Sequence, residues 1–416
     1  MQNSDKADSG PVNWKAVEQT SSAVLHDAGD PAVDSDFKQA ALSASDLADL
    51  WLNEATSLPS GGEKCEVLTR GQWIAQTLLA WQSLVNPVAQ GLTQAMATII
   101  PAELDTESLA IPPEVMAELP PEIASQMEQL LNSGELGKLI GPIMDLAKSM
   151  GATLFGNQFG HGLGVMATKV LSGTDVGIPL TKSKHPSYIA ANVKEFNSGL
   201  NLELSDTLIF LALRELAHQR LFTAAPWLQS HIQSAMSDYS SGVQIDTSVI
   251  EQALSEIDPT DMDAVNAALS GDLFVQSRTP EQIAALERLE LLLALIESWV
   301  ATVVTEAVGN RLPSSGALAE TLRRRRAAGG PAEKFFEGII GLEIRPRKIR
   351  EAAVIWQTLT ERIGLAERDK IWSHPDLLPT STDLEDIDVY LANQSHDLMT
   401  DLQNWIDEQK SAEDSD

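Results

Sequence analysis

The chain has a single cysteine in 416 residues, Cys65, which excludes an internal disulfide framework. Positive charge is scarce too: 29 Lys and Arg stand against 59 Asp and Glu, a formal net charge of -30 at pH 7. Binding a polyanion relies on clustered cations, so this balance argues against a nucleic-acid partner. The one basic run, Arg323 to Arg326, is short and reads as a solvated helix end before Gly329-Gly330-Pro331. Aromatic residues make up only 5% of the chain while Ala and Leu dominate, which favours helix over strand. Long uninterrupted apolar runs are missing as well. Leu291 to Val308 comes nearest, but Glu297 falls in its middle and acidic residues flank it, so it reads as a core helix and no membrane span is expected. The opening Met1-Gln2-Asn3-Ser4-Asp5 has neither the basic nor the apolar part of a signal peptide, and a cytoplasmic location is the expectation.

What is present is helical periodicity. Residues 1–35 are polar, acidic and rich in Ser, Asp and Gly, and are expected to form a disordered acidic tail; residues 401–416 read as a second acidic tail. Between them the expectation is an N-terminal helical region, 36–150, and a helical domain, 151–400. The first carries helices over Asp36 to Ser57 and Gln72 to Leu84, with Asn86-Pro87 as a boundary or kink. In the second, Gly156, Gly160 and Gly164 form a ridge that lets two helices approach closely, with His161 in it as a structural histidine. Ser187 to Val193 alternates as a short strand would, residues 242–280 read as short helices and loops, and a long helix runs from Glu281 to about Gly309. Helices around 332–341 and 347–363 complete the pattern. The predicted fold class is mainly α, with at most a small β-sheet.

The stretch Asp206 to Arg220 is apolar all round except where Arg214, Glu215 and His218 interrupt it. A helix hydrophobic on every side is a buried one, and buried charges want partners or a metal. The spacing is that of H-E-x-x-H, in which two histidines at i and i+4 hold zinc and the glutamate acts on a bound water. Here Arg214 stands first, and a guanidinium has no lone pair with which to ligate. Glu297 is a second carboxylate inside an apolar helix and needs a partner of its own.

Several segments together resemble the actinobacterial branch of a zincin-like family whose members carry zinc-metalloprotease or hydrolase labels. They are Leu47-Ala48-Asp49-Leu50-Trp51-Leu52, Gly71-Gln72-Trp73, Ser172 to Leu180, Leu213 to Phe222 and His374 to Pro379. The family includes a branch linked to biosynthesis of a deazaflavin cofactor. The resemblance implies a zincin-like helical core, Glu215 as general base, and His218 and Glu297 as zinc ligands, with Arg214 in the place of the third ligand. Two protein ligands fall short of the three that catalytic zinc takes.

Three readings follow. In the first the chain is a metal-free pseudoenzyme acting as a protein-interaction scaffold, Arg214 pairing with Glu297 or Glu215 where zinc would lie, and no cofactor is needed. In the second it is an active zinc hydrolase that recruits a further ligand such as His161, His231 or His374. In the third, Arg214, Glu215 and His218 bind an anionic small molecule. Beside these stands the plain alternative of a satisfied buried ion network, with His374 fixing a loop before Pro375.

Overall fold

The computed structural model describes residues 10–103, 136–178, 180, 185–241, 279–330, 334–335 and 348–392. The fold is mainly α, as expected. Helices α1 (Trp14–Ala28) and α2 (Ser35–Leu52) are followed by strand β1 (Glu66–Leu68), helix α3 (Arg70–Glu103) and helix α4 (Leu136–Ala167). Strand β2 (Ser187–Ile189) leads directly into α5 (Ala190–Ser198), after which come α6 (Leu204–Ala224) and α7 (Trp227–Ser241). The described C-terminal part holds α8 (Pro280–Val308), α9 (Ser315–Ala327) and α10 (Ile349–Lys370). Two single 3-10 turns, Ile371–Ser373 and Pro375–Leu377, follow α10.

Local chemistry sets several helix starts. The side chain of Asn13 accepts from Ala16 N at 3.1 Å and that of Asp34 from Phe37 N at 2.7 Å, satisfying amides that the first turn leaves orphaned. Helix α8 opens with a full capping box, Thr279 with Gln282, and Pro280 sits inside its first turn. Asn86-Pro87 ends nothing: α3 runs through it.

The segment expected to be a disordered tail instead contains α1, with Val12, Ala16, Val17 and Leu25 buried. Its partner is the glycine ridge. A Cβ at Gly156 would stand 2.6 Å from the Asn13 carbonyl oxygen and one at Gly160 2.6 Å from that of Val17, so only glycine lets the two helix backbones meet. Asn13 N also donates to Ala152 O at 3.0 Å. Composition misled here because four apolar residues suffice once a flat, side-chain-free face is offered to them. His161, in the ridge, is exposed. Residues 1–9 and 401–416, and the short helices expected over 242–278, lie outside the described residues.

The two helical regions share one hydrophobic core, with α2 and α8 both packed on α6. The sheet is a parallel pair, β1 on β2, in the register Glu66↔Ser187, Val67↔Tyr188, Leu68↔Ile189. On the other side of β2 lies the segment after α4, joined by Ile189 N to Leu171 O at 3.0 Å and Gly173 N to Ser187 O at 3.0 Å. The expected strand thus stops at Ile189 and continues as helix, and its main role is to hold the 171–178 loop against α6.

Among the described residues α8 is long and apolar enough to cross a membrane by length and composition, but 67% of that window is buried inside the protein. It is a core helix, as Glu297 in its middle suggested.

Candidate functional site

Helix α6 is buried nearly all round: Glu215 is 0% exposed and His218 and Arg220 are 2% exposed. With α2 on one side and α8 on another, its polar residues find partners inside the protein. Arg220 turns to α2, donating to Asp49 Oδ1 at 2.7 Å and Asn53 Oδ1 at 2.7 Å. Arg214 and His218, one turn apart, face α8.

There they meet Glu297. Arg214 Nη2 donates to Glu297 Oε2 at 2.8 Å, and His218 Nε2 lies 3.2 Å from Glu297 Oε1. The other ring nitrogen of His218, Nδ1, lies 2.8 Å from the Arg214 carbonyl oxygen, which fixes the imidazole against its own helix. A third cation completes the cluster: Arg326, near the end of α9, also pairs with Glu297 Oε2. Its neighbour Arg325 reaches Asp175 Oδ2 at 2.9 Å. The basic run expected to be a solvated helix end is therefore split, with Arg323 and Arg324 paired to Glu320 outside and Arg325 and Arg326 turned inward. Helical spacing carries the reason, since residues two or three apart in such a run cannot all face water when one side of the helix is covered.

Glu215 faces away from this cluster. Its Oε2 accepts from Thr174 N at 3.0 Å and Thr174 Oγ1 at 2.5 Å, and its Oε1 from Ser187 N at 3.2 Å. A Cβ on Gly173 would come within 3.0 Å of Glu215 Oε1 and 2.4 Å of Ser187 Oγ, so a glycine is needed for the loop to close over the carboxylate. Glu215 thereby ties β2 and the 171–178 loop to α6.

Electrostatics follow from these contacts. Burial by itself would raise the Glu297 carboxyl, but Arg326, Arg214 and His218 outweigh it and hold it well below the ordinary carboxylate range. Asp175 is lowered in the same way, burial being overcome by Arg325 and Arg326. Burial lowers Arg214 from its usual value, opposed by Glu297.

The remaining candidate ligands do not join. His161, His231 and His374 are all exposed. His231 Nδ1 lies 3.2 Å from its own helix at Trp227 O, and His374 Nδ1 accepts from Asp376 N at 3.3 Å, fixing its loop. Among the described residues no group of three or more His, Cys, Asp and Glu is placed to hold a metal ion. The donor set around Glu297 offers one imidazole and one carboxylate, with two guanidiniums pressed on the latter, and this does not fit the three-ligand shell of a catalytic zinc.

Behind the cluster opens a cavity of about 1150 Å³ between α6, α7, α8, α9 and the start of α10. Arg214, Glu297, Asp175, Arg325 and Arg326 form part of its wall, while Glu215 and His218 do not line it.

Two buried helices crossing at a charged cluster, with a short strand pair beside the first, make this a zincin-like helical protein. The chain belongs to the zincin-like metallopeptidase family, whose model matches residues 12–391. Its fold is similar to the crystal structure of "a putative hydrolase with a novel fold" from Chloroflexus aurantiacus, at a TM-score of 0.59 and 17% identity, over 92% of this chain and 99% of that one. At that identity the likeness concerns the fold alone. No curated protein matches the chain.

Proposed function

We propose that the protein is a zincin that works without a catalytic metal, a pseudoenzyme acting in the cytoplasm through contacts with a protein partner. The observation that carries this reading is the 2.8 Å ion pair of Arg214 with Glu297. It joins two positions of the metal shell that the resemblance implies, and cross-links α6 to α8 as a metal would. Two further features support it. Arg326 adds a second positive charge on Glu297, and a cation is repelled from a carboxylate already shared by two guanidiniums. Glu215, the general base of the resemblance, has both carboxylate oxygens engaged by Thr174 and Ser187, is fully buried and does not line the cavity, which turns it away from open space where a water would be activated. The finer placement, in the actinobacterial branch related to deazaflavin cofactor biosynthesis, rests on the motif stretches and belongs to the same proposal.

The competing reading is an active zinc-dependent hydrolase using Glu215 as base, favoured by the family's description as metallopeptidases. Metal analysis of the purified protein, with calorimetric zinc titration of wild type and Arg214→His, separates the two. The expected result is little zinc in wild type and measurable binding by the variant, which supplies the missing imidazole beside His218 and Glu297. Stoichiometric zinc in wild type, with peptide hydrolysis abolished by Glu215→Gln, would overturn the metal-free reading.

A further inference from the structure

Helix α9 is held in place differently from α6 and α8. Of its 13 residues only Leu318 and Leu322 are buried, whereas the other two helices bury most of theirs. It also starts without a cap, because the Ser314 hydroxyl is turned to Asp206 Oδ2, 2.7 Å away, and accepts from no amide of α9. The N-terminal end is fixed by that bond and by packing, since Leu312 and Leu318 are both buried. The C-terminal end is fixed by charge: Arg325 pairs with Asp175 at 2.9 Å and donates to the Lys169 carbonyl oxygen, and Arg326 pairs with Glu297. Immediately beyond stands Gly329 at φ 77°, a left-handed conformation that glycine takes without strain. The chain is anchored again at Phe335, whose ring meets Trp81 at 5.1 Å and Phe159 at 5.0 Å.

We propose that α9 is a lid over the Glu297 centre, pinned at its N-terminal end and latched at its C-terminal end by the Arg325–Asp175 and Arg326–Glu297 pairs, and that it opens with the rest of the fold intact. Elements with few buried apolar contacts are the ones that open locally. The frame beneath does not depend on the latch. Glu297 keeps Arg214 and His218, Asp175 keeps the Leu171 amide at 2.9 Å, and the 171–178 loop stays tied to α6 through Glu215. Opening therefore takes two guanidiniums away together and uncovers two carboxylates on two different elements. The lid concerns how the centre is covered, so it goes beyond the metal-free reading of the motif and does not depend on it.

The test is hydrogen exchange of the full chain, followed by mass spectrometry through a urea series below the unfolding transition. Released from the frame, a helix of 13 residues does not keep its own hydrogen bonds. Amides of 316–327 should therefore exchange at least about tenfold faster than those of 290–305 in α8, which wait for global unfolding. Their rate should depend only weakly on urea, because a lid exposes far less surface than the whole fold. Arg325→Gln with Arg326→Gln should speed exchange of 316–327 by a further factor of about ten, glutamine being as good a helix former as arginine. Arg323→Gln with Arg324→Gln, on the outer side of the same run and paired to Glu320, should change that rate by less than about twofold. Exchange of α9 in step with α8 across the urea series, or equal effects of the inner and outer double variants, would overturn the proposal. The first of these is read on wild type, so a variant that fails to fold does not shield it.

Discussion

Helix α8 carries two buried charge centres only two residues apart, and they are built on opposite principles. Around Glu297 there are two arginines for one carboxylate, and a large cavity lies beside them. Around Trp299 the indole Nε1 donates to Asp369 Oδ1 at 3.0 Å, and Asp369 also accepts from Thr56 Oγ1 at 2.6 Å and Ser57 N at 2.7 Å. Its neighbour Arg368, 0% exposed, donates to Asp369, to Glu306 Oε2 at 2.9 Å, to Thr360 Oγ1 at 3.0 Å and to Ala55 O at 2.8 Å. Here one guanidinium faces two carboxylates, and hydroxyl, indole and backbone groups take up the remaining bonds. A buried ion pair is thus no sign of function by itself. What sets the Glu297 centre apart is the cavity that Arg214, Glu297 and Arg326 help to line.

The strongest way to break the comparison is Arg368→Ala. It leaves Asp369 buried with its main cation gone, and should destabilise the protein by about 3–5 kcal/mol in denaturant titrations. At the other centre, Arg214→Ala should cost less, about 2–3 kcal/mol, because Arg326 remains to neutralise Glu297. If the Arg214 substitution proves the more damaging, the description of a redundant, cation-rich centre is wrong. Acid should separate the centres further. Glu297 and Asp175 both sit below their ordinary values in the folded state. Their stabilisation is therefore fully present above the unfolded carboxyl values, about 4, and is lost as pH falls through the folded ones, at up to about 1.4 kcal/mol per pH unit for each proton. Chemical denaturation from pH 6 to pH 3 should show a slope that Glu297→Gln reduces. The smallest effect is expected from Arg324→Ala, whose side chain is 79% exposed and paired to Glu320. It should leave the denaturation midpoint unchanged within error, in contrast to Arg326→Ala two residues on.

Much of the Glu297 centre was legible in the sequence, because a charged triplet on an all-apolar helix and a lone carboxylate on another have few ways to be satisfied except by each other. The pairing of Arg214 with Glu297 follows that logic. Glu215 did not, since its partners are backbone and hydroxyl donors at Thr174 and Ser187, which have no distinctive sequence signature. Arg325 and Arg326 were misread because a run of four like charges hides which face of the helix is covered. The only hint lay in the Ser172 to Leu180 stretch, where Asp175 stands among small and apolar residues. The Arg368 centre left no trace at all: it is assembled from four separated segments, 55–57, 299–306, 360 and 368–369. Distinctive residue type, more than distance along the chain, decided what could be read: Arg214 and Glu297 stand 83 residues apart, Glu215 and Thr174 only 41.

The glycine ridge that receives α1 also has a consequence in time. Asn13 and Thr153, bonded at 3.1 Å across that contact, are 140 residues apart. Synthesis at about 5–20 residues per second therefore keeps α1 waiting for about 7–28 s after it emerges, with Val17 and Leu25 uncovered. During that interval its apolar stripe is open to capture by whatever else is near.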